Sequence, residues 1–291
     1  MKQVLLFLIA VFTFSSCEKN VNFDLKNAED ILVVDAQIEN GQPPTVILST
    51  SLDYFQKISP QILEASFVHN AVVTISNGSV THKLKEYTVL FSGATGYYYG
   101  IDSSNLSTAF VGEVNKTYSL DIKVNGKEYT STTKIPLPRK VVDSIWVKVA
   151  PLNPDTLKRV LIAKVTDPPG LGDYVRYFTK KNSGPFLPGL NSVFNDQFVD
   201  GTTYEGQVDA GIDRNNPISY DDNMFKKGDT ITFKLSGIDK ATYTFWNTWE
   251  FNQQSIGNPF SQPGKVVGNI SNGALGAFCG YASWYGTIIA R

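Results

Sequence analysis

Short runs of β-favouring residues, broken every few positions by turn formers, dominate the chain from Ile31 onward. Ile31 to Glu39, Thr45 to Thr50, Ala71 to Ser76, Val80 to Leu90, Tyr118 to Val124 and Lys127 to Ile135 each predict a strand. Asn77-Gly78 and Asn125-Gly126 stand between such runs, and Asn-Gly accepts the positive φ values of a tight hairpin, so both pairs predict antiparallel neighbours.

Ile135-Pro136-Leu137-Pro138-Arg139-Lys140 interrupts the pattern. Proline has no N–H to give a ladder and biases the residue before it toward extended geometry, so this stretch predicts a stiff connector and a domain boundary. Beyond it, Asp143 to Val149, Arg159 to Thr166, Tyr174 to Lys180 and Thr230 to Leu235 predict strands, and Gly273 through Ile289 returns to strand character. Ser183 to Asn223 is rich in Gly, Asn, Asp and Pro with aromatic islands, which predicts long ordered loops with a strand or two. One helix is expected between Ile238 and Gln254, where Ile238, Ala241, Phe245 and Trp249 follow helical spacing with Trp246 one place off the line. Asp239 falls in its first turn, and Gly257, Asn258 and Pro259 stop it. The expected fold is mainly β: an antiparallel sandwich of immunoglobulin-like or transthyretin-like type over residues 28–138, then a second β-rich domain over 139–291 with one principal helix.

The start of the chain obeys different rules. Lys2 precedes an apolar run from Val4 to Phe14, and Ser15, Ser16 and Cys17 follow. A bilayer span needs roughly 20 apolar residues, so this run suits an export signal over residues 1–16 rather than an anchor. Small residues directly before a cysteine resemble the lipobox of bacterial lipoproteins, with Phe14 in place of the usual Leu. In that family the peptide is cut before the cysteine, which becomes lipidated. Cys17 is therefore the expected lipidation site and residues 17–27 a tether, which leaves Cys279 with no partner for a disulfide.

Composition narrows the function classes. The 291 residues hold 26 basic and 27 acidic side chains, a balance that excludes a nucleic-acid binder working through bulk positive charge. Two cysteines build neither a disulfide scaffold nor a cysteine-rich zinc module. Serine-hydrolase, zincin, phosphate-loop and dinucleotide motifs are all missing, so no catalytic residue, cofactor or metal site is expected. His69 and His82 read as surface or loop histidines, and Cys279 as a buried small hydrophobe. Asp196, Asp200, Asp209, Asp213, Asp221 and Asp222 crowd the second-half loops. They offer oxygens to a hard cation or a carboxylate pair to a hydrolase, but loop-capping Asx turns use the same residues. Among the aromatics, Tyr97, Tyr98 and Tyr99 alternate along a strand, which turns Tyr98 away from its neighbours and leaves a ring for solvent or a partner. Phe186, Phe194 and Phe198 are the candidate contacts in the second-half loops, where long loops on a rigid scaffold concentrate recognition.

The order of these pieces has a family likeness. Cys17 with its polar tether, Ile31-Leu32-Val33-Val34-Asp35, the Pro136 to Pro138 connector, Val142-Asp143-Ser144-Ile145, Asp167-Pro168-Pro169-Gly170, Phe198-Val199-Asp200-Gly201, Gly228-Asp229-Thr230-Ile231, the helix with Tyr243 and Trp246, Asn258-Pro259-Phe260 and Gly273-Ala274-Leu275-Gly276 together resemble the domain of unknown function 4249 family of Bacteroidota lipoproteins. The resemblance implies an outer-membrane lipoprotein, commonly encoded beside TonB-dependent transporters, with no assigned activity and no catalytic residue to carry over. Glu18 beside Cys17 only hints at an acidic export tag, with Lys19 offsetting it, and a surface-facing orientation is expected. The expected function is thus binding, as accessory partner of such a transporter. A glycan-binding or adhesion module is the alternative, and a carboxylate hydrolase stands behind it.

Overall fold

The computed structural model describes residues 30–52, 58–91, 94–151, 153–214, 216, 220–256 and 264–291. Cys17, the export signal, the tether and Asn258-Pro259-Phe260 lie outside the described residues.

The first half supplies β1 (Leu32–Glu39), β2 (Thr45–Thr50), α1 (Pro60–Ser66), β3 (Val72–Ser76), β4 (Thr81–Phe91), β5 (Ala94–Ile101), β6 (Lys116–Val124) and β7 (Lys127–Ile135). The second supplies β8 (Val141–Val149), β9 (Lys158–Thr166), β10 (Tyr174–Lys181), β11 (Leu187–Asn195), β12 (Thr203–Val208), β13 (Phe225–Lys226), β14 (Thr230–Ile238), α2 (Lys240–Ser255) and β15 (Leu275–Ile289). The mainly β class with one principal helix is as the sequence pattern implies. One sheet path runs β11-β10-β14-β15-β1-β2-β5-β4-β3-β6-β7; a second sheet is built on β9, flanked by β8, β12 and β13.

Alternation places the core. On β1, Leu32, Val34, Ala36 and Ile38 are buried, and they meet Val73, Ile75, Leu120, Ile122, Ile135 and Phe278 in one hydrophobic cluster. The path curls until β7 lies against β15, so close that a Cβ on Gly280 would stand 2.6 Å from the Lys134 carbonyl oxygen. In the second half, Leu161, Ala163 and Val165 of β9 face Tyr177, Ile231 and Phe233 of β10 and β14 across a second cluster. β15 serves both halves: it pairs in parallel with β1 and antiparallel with β14, and Ile31–Arg291 form one compact unit. That parallel pairing joins strands at opposite ends of the chain, which local sequence pattern cannot announce.

Some local expectations hold and others need correction. Asn125 and Gly126 take φ of 52° and 73° and form the hairpin between β6 and β7. The Asn77 turn is longer, because Ser76 pairs with Thr81 and the Asn77 side chain caps it by accepting from the Ser79 and Val80 N–H groups. Helix α1 was not expected; Ser59 caps it by accepting from Ile62 N–H, Pro60 opens it, and its few turns show little apolar periodicity. Asp239 is the N-cap of α2 rather than a first-turn residue. One oxygen accepts from Thr242 N–H and the other from Lys134 N–H, tying the helix to β7. The Ser183 to Asn223 region holds two ladder strands, β11 and β12, among its loops, as expected. His82 is no surface histidine: it is buried on β4, with Nδ1 2.9 Å from Thr108 Oγ1 and Nε2 accepting from Asp102 N–H.

Candidate functional site

The most irregular part of the second half is β11, and its irregularity organises the rest. Val193 pairs with Arg176 and Pro188 with Phe178, so Gly189 to Ser192 bulge out opposite Tyr177 alone. Pro188 lacks an N–H and Gly189 a side chain, and both suit a strand that leaves its ladder. The Tyr177 hydroxyl fills the space a Gly189 Cβ would take. Beneath the bulge lies a buried polar network. Arg176 donates to Ser192 Oγ at 3.0 Å and to the Tyr281 hydroxyl at 3.2 Å, with its guanidinium 3.4 Å from the centre of the Trp246 ring. Ser192 donates through both N–H and hydroxyl to Glu250 of α2, and Arg214 approaches Glu250 at 3.8 Å. A buried charge is tolerated only when paired and hydrogen-bonded, so this network fixes α2 on the bulge. Cys279 sits beside it, and burial pushes its thiol up to about 12, which keeps it protonated and unreactive at neutral pH.

On the other face of β10 the two sheets of the second half stand apart around a cavity of about 320 Å³. Its walls are Tyr177, Phe194, Tyr204 and Phe233 with Ala163, Val165, Val208 and Leu235, while Asn191, Gln207 and Asp209 form a polar rim. Phe194, 49% exposed, lies at the mouth, its ring 6.1 Å from Tyr177 and nearly parallel to it. Burial raises the Tyr177 and Tyr204 phenols above their ordinary values, with nearby Asp209 and Asp167 respectively adding to the effect. Both hydroxyls therefore stay protonated and available as donors.

Two loops join at one end of this sandwich. Residues 167–173 link β9 to β10, and 196–202 link β11 to β12. Buried Asp196 accepts from the Gly172 and Asp173 N–H groups at 2.7 and 2.9 Å, and Asp200 accepts from Gly170 N–H at 2.6 Å. The connector locks onto them from below: Lys140 pairs with buried Asp167 at 2.5 Å, and Arg139 donates to the Pro169 and Gly170 carbonyls and approaches Asp173 at 3.3 Å. Burial raises the Asp173 carboxyl, with Arg139 opposing it. Out of this braced pair of loops project Phe198, 91% exposed, and Leu171, 70% exposed.

The three phenylalanines expected as contacts thus occupy separate settings. Phe194 is at the cavity mouth and Phe198 on the loop tip. Phe186 is half-buried on the opposite sheet face, edge-on to Tyr285 with Lys180 and Lys234 over its ring. The tyrosine triplet divides as alternation requires. Tyr99 is buried, its hydroxyl accepting from Ala71 N–H and donating to the Glu86 carboxylate; Tyr97 lies edge-on to Phe67 and His69; Tyr98 stacks on Tyr87 across the strand pair. Among the described residues no group of His, Cys, Asp or Glu is arranged to hold a metal ion. Gly206, the glycine inside β12 that leaves the cavity open, carried a readable signal, since glycine weakens a strand interior and leaves no side chain to pack there. Nothing in local sequence marks Arg176 and Glu250 as partners.

The chain matches the family described as Domain of unknown function (DUF4249) over residues 18–284 and belongs to it. No curated protein matches it.

Proposed function

We propose that this DUF4249 member is a lipid-anchored, surface-facing outer-membrane protein that works by binding, as the accessory partner of a TonB-dependent transporter. The observation that carries the reading is the exposed apolar pair Phe198 and Leu171 on loops held rigid by Asp196, Asp200 and the Lys140–Asp167 pair. An exposed aromatic whose backbone is already fixed loses little freedom on binding, which is the property of an interface anchor. The family match begins at residue 18, directly after Cys17, which supports Cys17 as the first residue of the mature chain. No helix among the described residues is long and apolar enough to cross a membrane. Two or three acyl chains on Cys17 give a stable anchor, and confinement beside a transporter raises effective concentration without further contacts. Of the loop carboxylates a hydrolase would recruit, Asp196 and Asp200 are engaged in bracing the loops.

Glycan binding is a second reading, favoured by a separate open groove of about 660 Å³ on the outer face of β3, β6 and β7. Thr74, Ser119, Thr132 and Asp121 line it, as do Asn269 and Ser271.

Both parts of the proposal are testable in cells. A clickable fatty acid should label the wild type and not Cys17→Ala; equal labelling contradicts the anchor. Affinity capture of the full-length chain from outer membranes should recover a transporter-sized β-barrel protein, and Phe198→Ala with Leu171→Ala should reduce recovery at least tenfold. Unchanged recovery removes the carrying observation, and retention on immobilised glycan instead favours the second reading.

A further inference from the structure

The cavity between the two sheets of the second half has properties that packing alone does not demand. The strand β12 turns Tyr204, Gly206 and Val208 inward, so its central inward position, paired with the small Ala163 of β9, carries no side chain. A Cβ built on Gly206 meets nothing within 4 Å, and its φ lies outside the range that would require glycine. An alanine or larger residue would fit, and the glycine therefore preserves a void. Interiors of folded proteins are otherwise packed like organic crystals, and unfilled volume is destabilising.

The void has the size and lining of a ligand site. An apolar cavity of about 150 Å³ takes one benzene ring, and this one is about 320 Å³, room for a fused pair of rings. Tyr177, Phe194, Tyr204 and Phe233 offer ring faces and edges to a flat aromatic. The one charged residue of the lining is Asp209, with Gln207 donating to its Oδ1 at 2.9 Å, so the rim favours a donor or a cation over an anion. The β11 bulge brings Asn191 to the same rim, and the Ser192–Glu250 bonds hold it there.

We propose that this cavity binds a flat bicyclic aromatic amine, its rings between the sheets and its ammonium or N–H group at the Asp209 rim. The site is distinct from the Phe198 and Leu171 loop tips and does not depend on a transporter partner.

The test is calorimetric titration of the detergent-solubilised full chain with tryptamine and, separately, indole-3-acetate. Tryptamine should saturate one site, with indole-3-acetate at least tenfold weaker. Gly206→Leu should abolish tryptamine binding while the circular dichroism spectrum and the thermal midpoint persist. Gly206→Ala, which adds one carbon to open space, should weaken it about threefold and carries the test if the leucine variant fails to fold. Asp209→Asn should remove the preference between the two probes. Absence of saturable tryptamine binding, equal binding to wild type and the Gly206 variants, or equal affinity for the two probes would each overturn the proposal.

Discussion

The two halves of the molecule use the same alternating pattern to opposite ends. In the first, the curled sheet closes on itself: Phe278 and Ile135 are fully buried, the buried Tyr118 hydroxyl accepts from Glu113 N–H at 2.7 Å, and β7 approaches β15 so tightly that Gly280 has no room for a Cβ. In the second, a strand glycine leaves a cavity open between two sheets, and buried carboxylates stiffen loops that carry exposed apolar tips. Consistency with the alternating rule marks the stabilising half, and departures from it mark where binding is expected.

The sharpest way to break this contrast is truncation of comparable rings. Phe278→Ala removes a fully buried ring from the sealed cluster and should cost about 3–5 kcal/mol in urea unfolding. Phe194→Ala removes a half-exposed ring at the cavity mouth and should cost about 1 kcal/mol or less. Similar losses would mean that the cavity is packed as tightly as the first core.

Adding a methyl group probes the same difference from the other side. Gly280→Ala meets the Lys134 carbonyl 2.6 Å from the new Cβ and should destabilise by about 1–3 kcal/mol through overpacking. Gly206→Ala meets open space and should stabilise by about 0.4–1 kcal/mol, because it restricts the unfolded chain. Thermal unfolding of both variants reads the two signs directly.

Acid titration should give the smallest effects, again of opposite sign. In the first half, burial works to raise the Glu86 carboxyl, but hydrogen bonds from His69, Asn70 N–H and Tyr99 outweigh it and leave it below its ordinary 4.5. The ionised form is therefore favoured by folding. Glu86→Gln should be less stable than wild type at pH 7, and the deficit should fade as pH falls through the folded value of Glu86. In the second half, burial holds Asp173 above its ordinary 3.8 despite Arg139. Ionisation there opposes folding, so Asp173→Asn should match wild type below about pH 3.8 and gain on it as pH rises through the folded value. Differential scanning calorimetry from pH 3 to 7 follows both.

The local elements were legible in sequence, and the contrast built from them was hidden for physical reasons. β2 and β7 fall where their alternation ends, and α2 follows its aromatic spacing with Asp239 shifted to the cap. These are local signals. The bounds of β11 escaped because its bulge, with Pro188 and Gly189, breaks the period that identifies a strand. The role of β15 escaped because its partners β1 and β14 are set by long-range register. Asp196, Asp200 and Gly201 were readable as turn chemistry, but not the meeting of their loop with Asp167 to Gly170 and the Arg139-Lys140 connector. The cavity required both sheets in place, although Gly206 was its one local trace.

The most direct measurement places a photo-crosslinking amino acid at Phe198 in one strain and at Tyr98 of the first half in another, in full-length chain on intact outer membranes. The account predicts a crosslink from position 198 to a transporter-sized β-barrel protein and none from position 98. Crosslinking from 98 alone, or from neither position while affinity capture still recovers a partner, would contradict it.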